Sequence, residues 1–297
     1  VAVPGQLSNS GLFQEEGITS TTFNIEKDGK TLALVPSQAR GGPGKTLEKT
    51  KRQLIPFNTV HLPQQDNLMA DEVQGVREFG SEDQTKSVIS EVNKRFMMLR
   101  NNIDATLEHM KVGALTGVVM DADGTTPLLN VYDEFGMTQT EFGFNITDDA
   151  TNVTSKCRAL QDTMEDEMDG IPYTGIRVYC GRTFYNTLVA HADVEKKYER
   201  WNDGQFNRDT NNNSFVFGEI EFVKYRGQVG GTRFVGDNDA YAVATGVSNL
   251  FIGRFAPANY NETVNTRGLP YYAKMIPMEF DKGFLMEAQS NPMFLPT

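Results

Sequence analysis

The residues from Ala39 to Thr46 come closest to a motif with known chemistry. They spell A-x-x-x-x-G-K-T, which differs from a Walker A phosphate-binding loop at its first glycine. In such a loop, backbone amides cradle the phosphates of a nucleotide, and the lysine, here Lys45, contacts them. Pro43 removes an amide donor from inside the loop, and mostly charged residues follow where a P-loop helix should pack under a sheet. We interpret the stretch as a mobile basic loop tip and keep a nucleotide-binding protein as an alternative function.

The side chains that most often bind transition metals are few and far apart. The chain has three histidines and two cysteines, and none of the histidines are spaced as H-x-x-x-H or H-E-x-x-H. These residues are His61, His109, His191, Cys157 and Cys180. We therefore expect no metal centre and no disulfide scaffold. Both cysteines are expected to be buried free thiols, as in proteins of a reducing compartment.

Two carboxylate-rich segments could suggest ion binding or acid–base chemistry. Asp121–Gly124 is similar to the start of a calcium loop, but its glycine comes too early and Phe135 falls near the place of the required glutamate. We interpret this segment as a hairpin turn. The run Glu165–Asp169 is typical of a solvated helix face, and the sequence contains no G-x-S-x-G motif. The sequence thus predicts no catalytic residue, no cofactor and no enzymatic activity.

Composition indicates a folded protein with an acidic surface. Hydrophobic residues make up 39% of the 297 residues, and the formal net charge is -11. An acidic surface does not attract nucleic acid, so a DNA-reading role is disfavoured. No apolar run approaches the roughly 20 residues needed to span a bilayer. The first ten residues lack a basic start and an apolar centre, so we expect no signal peptide.

Two N-terminal segments contain too few large apolar residues to form a core. Residues 1–21 predict an extended arm, and residues 22–66 predict a long loop with two arms. Within the loop, Phe23–Glu26 and Thr31–Val35 are predicted strands on either side of a turn at Lys27–Lys30. The predicted tip of the loop contains Arg40, Gly41, Gly42, Pro43 and Lys45.

The strongest local pattern is an amphipathic helix of about 30 residues, which would be roughly 45 Å long. Ser81 is its expected N-cap and Gly113 its expected C-terminal stop, so the helix should span about residues 81–112. Its apolar stripe, with spacings of three and four residues, consists of Val88, Val92, Phe96, Leu99, Ile103, Leu107 and Met110. Such a length suggests a spine along one edge of a flat molecule.

The rest of the chain alternates between strand and helix patterns, which indicates an α+β fold with mixed sheets. The predicted elements are a hairpin of Gly117–Met120 with Leu128–Tyr132, helices at Asn152–Met168 and Arg182–Trp201, strands at Ile176–Cys180, Phe215–Arg226, Thr232–Val235 and Ala240–Thr245, and a closing strand or hairpin at Lys274–Glu287.

One run of residues before the spine helix resembles a known family. Met69–Gly80 reads M-A-D-E-V-Q-G-V-R-E-F-G and closely resembles the segment before the spine helix in the lambda-type major capsid proteins (protein E family) of tailed bacteriophages. The residues that carry the resemblance are Asp71, Glu72, Val73, Gln74, Gly75, Val76, Arg77, Phe79 and Gly80. Further segments resemble the same family in the same order: Thr31–Pro36 with Arg40 and Gly41, Glu108–Gly117 with Asp121–Gly124, Pro270–Lys274, and Ala288–Pro292. Residues from about 150 to 260 match only in their pattern of elements.

The resemblance implies the Hong Kong 97-type capsid fold. Its parts would be an N-terminal arm (1–21), an extended loop (22–66), a peripheral domain that carries the spine helix (67–150), an axial domain (151–262) and a return to the peripheral domain (263–297). It also implies a structural protein that self-assembles, as hexamers and pentamers, into the icosahedral shell around the DNA of a tailed phage. The arm and the extended loop would then lie across neighbouring subunits.

The same resemblance implies partners and a location. A scaffold, a portal and a decoration (cement) protein are expected partners, whereas packaged DNA would be contacted only non-specifically and a membrane not at all. The protein would belong to the virion after assembly in the cytoplasm of the bacterial host. An encapsulin-type compartment shares the fold and stays open as a second alternative.

The acidic composition suggests an inner shell surface that repels DNA. The spine-helix residues Glu82, Asp83, Glu91, Asp104 and Glu108 are expected to contribute to it.

Overall fold

The computed structural model describes residues 3–28, 52–74, 87–201 and 214–297, and it mixes helices and strands as the α+β prediction requires. The helices in these ranges are α1 (Ala70–Val73), α2 (Val88–Thr116), α3 (Val131–Phe135), α4 (Val153–Met168), α5 (Arg182–Val189) and α6 (Ala192–Trp201). The strands are β1 (Phe13–Gly17), β2 (Thr22–Asp28), β3 (Arg52–Asn58), β4 (Leu62–Met69), β5 (Val118–Met120), β6 (Pro127–Asn130), β7 (Gly175–Cys180), β8 (Ser214–Phe217), β9 (Ile220–Lys224), β10 (Gln228–Val229), β11 (Thr232–Arg233), β12 (Ala240–Thr245), β13 (Phe251–Phe255), β14 (Tyr272–Pro277), β15 (Gly283–Ser290) and β16 (Pro292–Pro296). No helix within the described ranges is long and apolar enough to cross a membrane.

A four-stranded mixed sheet with the strand order β12-β7-β9-β8 organises the region from α4 to β12. Strands β7 and β9 are parallel, so the chain must cross between them, and it does so through α5 and α6. The prediction of a single helix over Arg182–Trp201 is wrong, because the chain turns at Ala190 and His191 between α5 and α6. Helix α4 packs Val153, Cys157 and Leu160 into the core of this sheet.

Both cysteines are free and buried, as the sequence predicted. Burial raises the pKa of the Cys180 thiol, so this thiol stays protonated at neutral pH. Cys180 ends β7, and Cys157 lies on the face of α4 that packs against the same sheet. Both therefore act as small apolar side chains in one core.

Helix α2 is the predicted spine helix, but both of its ends differ from the prediction. It begins at Val88, because the side chain of Ser87 accepts a hydrogen bond from the backbone N–H of Ser90 at 3.1 Å. Ser81, the predicted N-cap, lies outside the described residues. The helix ends at Thr116, where Gly117 adopts a left-handed conformation with φ of 84°.

Gly113, the predicted helix stop, lies inside α2, and its lack of a side chain serves packing. A Cβ atom placed on it would lie 2.7 Å from the Cα of Val119 and 3.0 Å from the carbonyl oxygen of Val118. Glycine thus allows α2 to approach the backbone of β5 directly.

The hairpin of β5 and β6 was predicted, but Val131 and Tyr132 begin helix α3 instead of extending its second strand.

The apolar stripe of α2 faces the main core for most of its length. Val92, Leu99, Ile103, Leu107 and Met110 are buried, and Phe96 packs against them while partly exposed. Val88 is 39% exposed, so its assignment to the buried face is wrong. It is the first residue of the helix, and the core under this end of α2 begins only at Val92.

Two three-stranded sheets pack along α2. One has the order β1-β13-β16 and supplies Ile252, Phe255 and Phe294 to the same core as the middle of α2. The other has the order β14-β15-β4, and its Leu68 and Met286 are buried with Val92 near the start of α2. Of the two alternatives predicted for Lys274–Glu287, a strand or a hairpin, the structure has the hairpin of β14 with β15. Strands β1, β4, β13 and β16 had no predicted counterpart.

The N-terminal segment is not an arm that lacks contact with its own core. Strand β1 pairs in parallel with β13, from Phe13 opposite Phe251 to Gly17 opposite Phe255. Leu7 is almost completely buried against Val112 and Tyr225. The expectation for residues 1–21 failed because their few apolar side chains fill gaps in a core made by distant parts of the chain.

The predicted extended loop also differs from the structure. Strand β2 continues through Lys27 and Asp28, where a turn was predicted, and pairs with β3 instead of Thr31–Val35. Thr31–Val35 lies outside the described residues. At the base of this β2–β3 ribbon, Ile55 and Phe57 are buried in the main core. Residues 62–66 belong to β4 in the β14-β15-β4 sheet, so the loop prediction extends too far.

We predict that Gly113→Ala lowers the free energy of unfolding by about 1–3 kcal/mol, the usual effect of overpacking. Alanine favours a helix by about 1 kcal/mol over glycine, but here its methyl group would overlap the backbone of β5. Urea unfolding would measure the change. Asn93→Ala, at an exposed position of the same helix, is the matched control and should be neutral or slightly stabilising. A stabilising Gly113→Ala would contradict the close approach.

Candidate assembly site

A buried carboxylate on α2 joins three parts of the chain. Glu108 has no exposed surface. Its Oε1 accepts hydrogen bonds from the backbone N–H of Leu7 at 2.7 Å and from the hydroxyl of Tyr225 at 2.9 Å. Its Oε2 accepts from the backbone N–H of Ser8 at 2.9 Å and from the hydroxyl of Ser8 at 2.7 Å. The spine helix is thereby tied to the N-terminal segment and to the end of the four-stranded sheet.

Lys111 brings the compensating charge to this junction. It is buried, and its Nζ lies 2.6 Å from Oε1 of Glu15 and 2.9 Å from the hydroxyl of Ser8. The Ser8 hydroxyl therefore links Lys111 to Glu108. The ammonium also lies 5.1 Å from the ring centre of Phe294. Buried charges persist only when they are paired and hydrogen-bonded, and this junction meets both conditions.

The environment of Tyr225 reflects the same burial. Desolvation raises the pKa of its phenol, and the adjacent negative charge of Glu108 raises it further. The hydroxyl therefore stays protonated and keeps donating to Glu108. We call Glu108, Lys111, Ser8, Glu15 and Tyr225 the spine junction.

The structure covers only part of the predicted signature before the spine helix. Asp71, Glu72 and Val73 lie in α1, and Gln74 follows it, whereas Gly75, Val76, Arg77, Phe79 and Gly80 lie outside the described residues. Glu72 forms an ion pair with Arg95 of α2. Val73 is buried with Val92 and Leu68. The described half of the signature thus anchors the chain to the first turns of α2.

The predicted tip of the extended loop, with Arg40, Gly41, Gly42, Pro43 and Lys45, also lies outside the described residues. The ribbon of β2 and β3 leads toward it. Ile55 and Phe57 are buried at the base of this ribbon, whereas Leu54 is exposed further along. Ile55 and Phe57 share the face of β3 that packs on the core, whereas Leu54 lies on the opposite face.

The turn between β14 and β15 presents an aromatic side chain to solvent. Phe280 is 87% exposed and has a left-handed backbone with φ of 62°. This conformation is unfavourable for a bulky residue, so the turn holds the ring outward at some cost in free energy. Lys282 lies over the ring at 5.5 Å, and Asp281 is also left-handed.

Two further surfaces combine apolar and charged side chains. On the outer face of the β14-β15-β4 sheet, Ile276 and Leu285 are directly opposite each other and exposed. Lys274, on the same face, pairs with Glu262 at 3.2 Å. On the outer side of α2, Met97 and Met98 are exposed, and Ile89 is exposed in the first turn of the helix. Exposed apolar groups beside charges are typical of protein interfaces.

The turn at Asp121–Gly124 has the structural role that the sequence predicted. The carboxylate of Asp123 accepts hydrogen bonds from the side chain and the backbone N–H of Thr126 and from the backbone N–H of Thr125, and these bonds hold its pKa well below the usual range. Within the described residues, no group of three or more His, Cys, Asp or Glu side chains could hold a metal ion.

Sequence reasoning missed the spine junction and misplaced one of its members. Glu108 was expected to contribute negative charge to an inner surface, and the structure buries it completely. Glu91 is also buried, with 9% of its surface exposed. A usable signal existed, because Glu108 and Lys111 are three residues apart beside Leu107 and Met110 of the apolar stripe. Charges so placed border the buried face.

We predict that Glu108→Gln lowers the free energy of unfolding by about 2–4 kcal/mol, because the amide cannot accept hydrogen bonds from all four donors and leaves some of these buried donors without a partner. The same variant should increase hydrogen exchange in residues 3–17, which lose their anchor. Urea unfolding and exchange mass spectrometry would measure the two effects. Glu134→Gln, at an exposed position of α3, is the control and should stay within about 0.5 kcal/mol. Equal effects of the two variants would contradict the role of Glu108.

Comparison with known proteins agrees with this architecture. A model of the family described as phage major capsid protein E matches residues 1–297. The major capsid protein of Pseudomonas phage KPP10 is 27% identical, over 98% of this chain and 88% of that protein. The major capsid protein of Salmonella phage Felix O1 is 25% identical, over 96% of this chain and 87% of that protein.

Solved structures with a similar fold are also phage capsids. A chain of the cyanophage A-1(L) capsid asymmetric unit has a TM-score of 0.57 at 10% identity, covering 100% of this chain and 90% of that chain. The capsid of Myoviridae phage XM1 has a TM-score of 0.54 at 15% identity, covering 100% and 92%. At these identities the likeness shows the fold alone, and it confirms the Hong Kong 97-type prediction. Because the family model matches the whole chain, the chain belongs to the phage major capsid protein E family and is a structural protein of the capsid shell.

Proposed function

We propose that this capsid protein completes its packing on neighbouring copies of itself, as hexamers and pentamers of a closed icosahedral shell around phage DNA. The observation that carries the proposal is the placement of its exposed apolar side chains. Several of them lie together on three surfaces: the turn with Phe280, the outer face of the β14-β15-β4 sheet and the outer side of α2. A closed shell requires several interfaces on each subunit, and exposed apolar groups that lie together on one surface are typical of interfaces.

The extended loop supplies a further contact in this proposal. Its predicted tip, with Arg40, Gly41, Gly42, Pro43 and Lys45, would lie on a neighbouring subunit. In support, β2 and β3 form a two-stranded ribbon, and Ile55 and Phe57 bury its base in the core of its own chain. A two-stranded ribbon is marginally stable by itself, so an outside surface would stabilise its far end.

The division into parts follows the same proposal. Residues 67–150 and 263–297 would form the peripheral domain around the spine helix, and residues 151–262 the axial domain. In support, the main cluster around α2 and the main cluster of the four-stranded sheet are distinct, and a smaller cluster with Val112, Tyr179 and Val243 joins the two regions. The arm of residues 1–21 is retained only as a segment docked on its own chain through β1.

We propose that the protein has no catalytic activity. Its family is structural, and the stretch similar to a Walker A loop lies between β2 and β3. These strands pair antiparallel, whereas a phosphate-binding loop connects a strand of a parallel sheet to a helix. The nucleotide-binding alternative therefore has little support.

A scaffold, a portal and a decoration protein are the proposed partners, and the host cytoplasm is the proposed place of assembly.

We predict that the purified chain, or the chain expressed in bacteria, forms closed shells, hexamers or curved sheets. Negative-stain electron microscopy would detect these particles. ATP binding that disappears in Lys45→Ala, in a chain that forms no particles under any condition, would contradict the proposal and favour the nucleotide-binding alternative.

We predict that Phe280→Ser reduces the fraction of protein in particles about tenfold or more, because loss of a buried aromatic anchor commonly costs 2 kcal/mol or more of binding free energy. Sedimentation would measure the assembled fraction. Phe280→Tyr is the control, since it keeps the ring and should still assemble. Thermal unfolding of both unassembled variants should match the wild type, because the ring is exposed in the subunit. Normal assembly of Phe280→Ser would contradict a contact at this turn.

A further inference from the structure

A cleft at the end of the four-stranded sheet concentrates positive charge in an otherwise acidic protein. It measures about 230 Å³, room for more than one water molecule of ~30 Å³. Four cationic side chains line it: Arg182 at the start of α5, Lys224 at the end of β9, Arg226 after it, and Arg233 in β11. The whole chain carries a formal net charge of -11, so this local excess of positive charge runs against its composition.

The charges in the cleft are only partly compensated. Arg233 forms an ion pair with Asp237. Lys224 donates to the side-chain oxygen of Asn186 at 2.8 Å, and that amide carries no charge. Neither Arg182 nor Arg226 forms an ion pair with a carboxylate in the parts of the chain that the structure describes. Four cations with one acidic partner repel one another, and an anion in the cleft would relieve that repulsion.

The cleft is held in place by the main chain on both sides. The backbone oxygen of Lys224 accepts a hydrogen bond from the side chain of Gln6, and the backbone N–H of Arg226 donates to the same side chain. Tyr225, between them, is buried and bonded to Glu108. Lys224 and Arg226 therefore project from a segment of main chain that Gln6 and Tyr225 hold in place, so this side of the cleft is preformed for a ligand.

We propose that this cleft binds a phosphate group. Guanidinium groups bind phosphate through parallel N–H···O bonds, and three of the four cations here are arginines. After pairing with Asp237 an excess of three charges remains, which suits a phosphate better than a single carboxylate from a protein. The phosphate can come from free phosphate or from a DNA backbone. We favour DNA, and that choice of source rests on the proposed function, since a capsid encloses DNA.

The acidic surface elsewhere does not prevent this contact. At physiological ionic strength the Debye length is about 8 Å, so charges further from the cleft are largely screened. The net negative charge of the chain would weaken long-range attraction of DNA, while the cleft would hold a phosphate that reaches it. The contact is therefore local and independent of base sequence.

The test compares two double variants of the full chain as unassembled subunits. Arg182→Gln with Arg226→Gln removes the two cations that lack acidic partners. Arg158→Gln with Lys94→Gln removes the same charge from exposed positions elsewhere and is the matched control. Circular dichroism and thermal unfolding establish that both variants fold.

Binding of inorganic phosphate by calorimetry and of a short labelled DNA duplex by fluorescence anisotropy are the two readouts. For the cleft variant we expect phosphate binding to disappear and DNA affinity to fall about tenfold or more. The slope of the logarithm of the DNA-binding constant against the logarithm of salt concentration should decrease by about two phosphate contacts. The control variant should bind both ligands almost as the wild type does.

Three results would overturn the proposal in different ways. If the wild type binds neither ligand, or if the control loses as much affinity as the cleft variant, there is no phosphate site. If phosphate binds but DNA does not, DNA is the wrong source. If only an acidic peptide binds, the cleft recognises a protein instead. Electron microscopy of the cleft variant separates these outcomes from assembly, because intact shells without DNA binding would leave the proposed function standing.

Discussion

Burial of the Glu108 carboxylate on the spine helix is the constraint on which the rest of the structure depends. A carboxylate with no exposed surface requires donors on every side, and the chain supplies them from Leu7, Ser8 and Tyr225. Lys111 adds the opposite charge one turn further along the helix. Removing one partner would leave a buried charge uncompensated, so the spine helix, the N-terminal segment and the four-stranded sheet must assemble together.

The spine junction joins the region around α2 to the four-stranded sheet. The cores around α2 and around the four-stranded sheet are separate, and the spine junction lies where the two regions meet. Apolar side chains at the far ends remain exposed, including Phe280 on the β14–β15 turn and Ile89 on α2. Such a subunit is suited to a shell, because neighbouring subunits can bury the apolar side chains that remain exposed on the single subunit.

The cations of the cleft lie beside a fixed segment of main chain in a protein whose net charge is negative. Among the described residues, the buried carboxylates are Glu91 and Glu108, and the formal net charge of the chain is -11. The cations of the cleft at Arg182 and Arg226 gather where the main chain is anchored by Gln6 and Tyr225. The position of a charge relative to a fixed backbone, rather than the overall charge, therefore decides whether an anion can bind there.

The sequence by itself determined the long amphipathic helix, the β5–β6 hairpin and the resemblance to capsid proteins, and it left a strand or a hairpin open for Lys274–Glu287. Apolar spacing, turn residues and a contiguous signature are local properties that need no knowledge of distant contacts. Only the tertiary structure decided that Gly113 is a point of close approach and not a helix end, because β5 lies against it. Only the tertiary structure showed that Glu108 is buried, since its partners Leu7 and Tyr225 are 101 and 117 residues away in the chain. Contacts over such separations depend on how the sheets pack on α2, and the spacing of apolar residues along the sequence does not predict that packing.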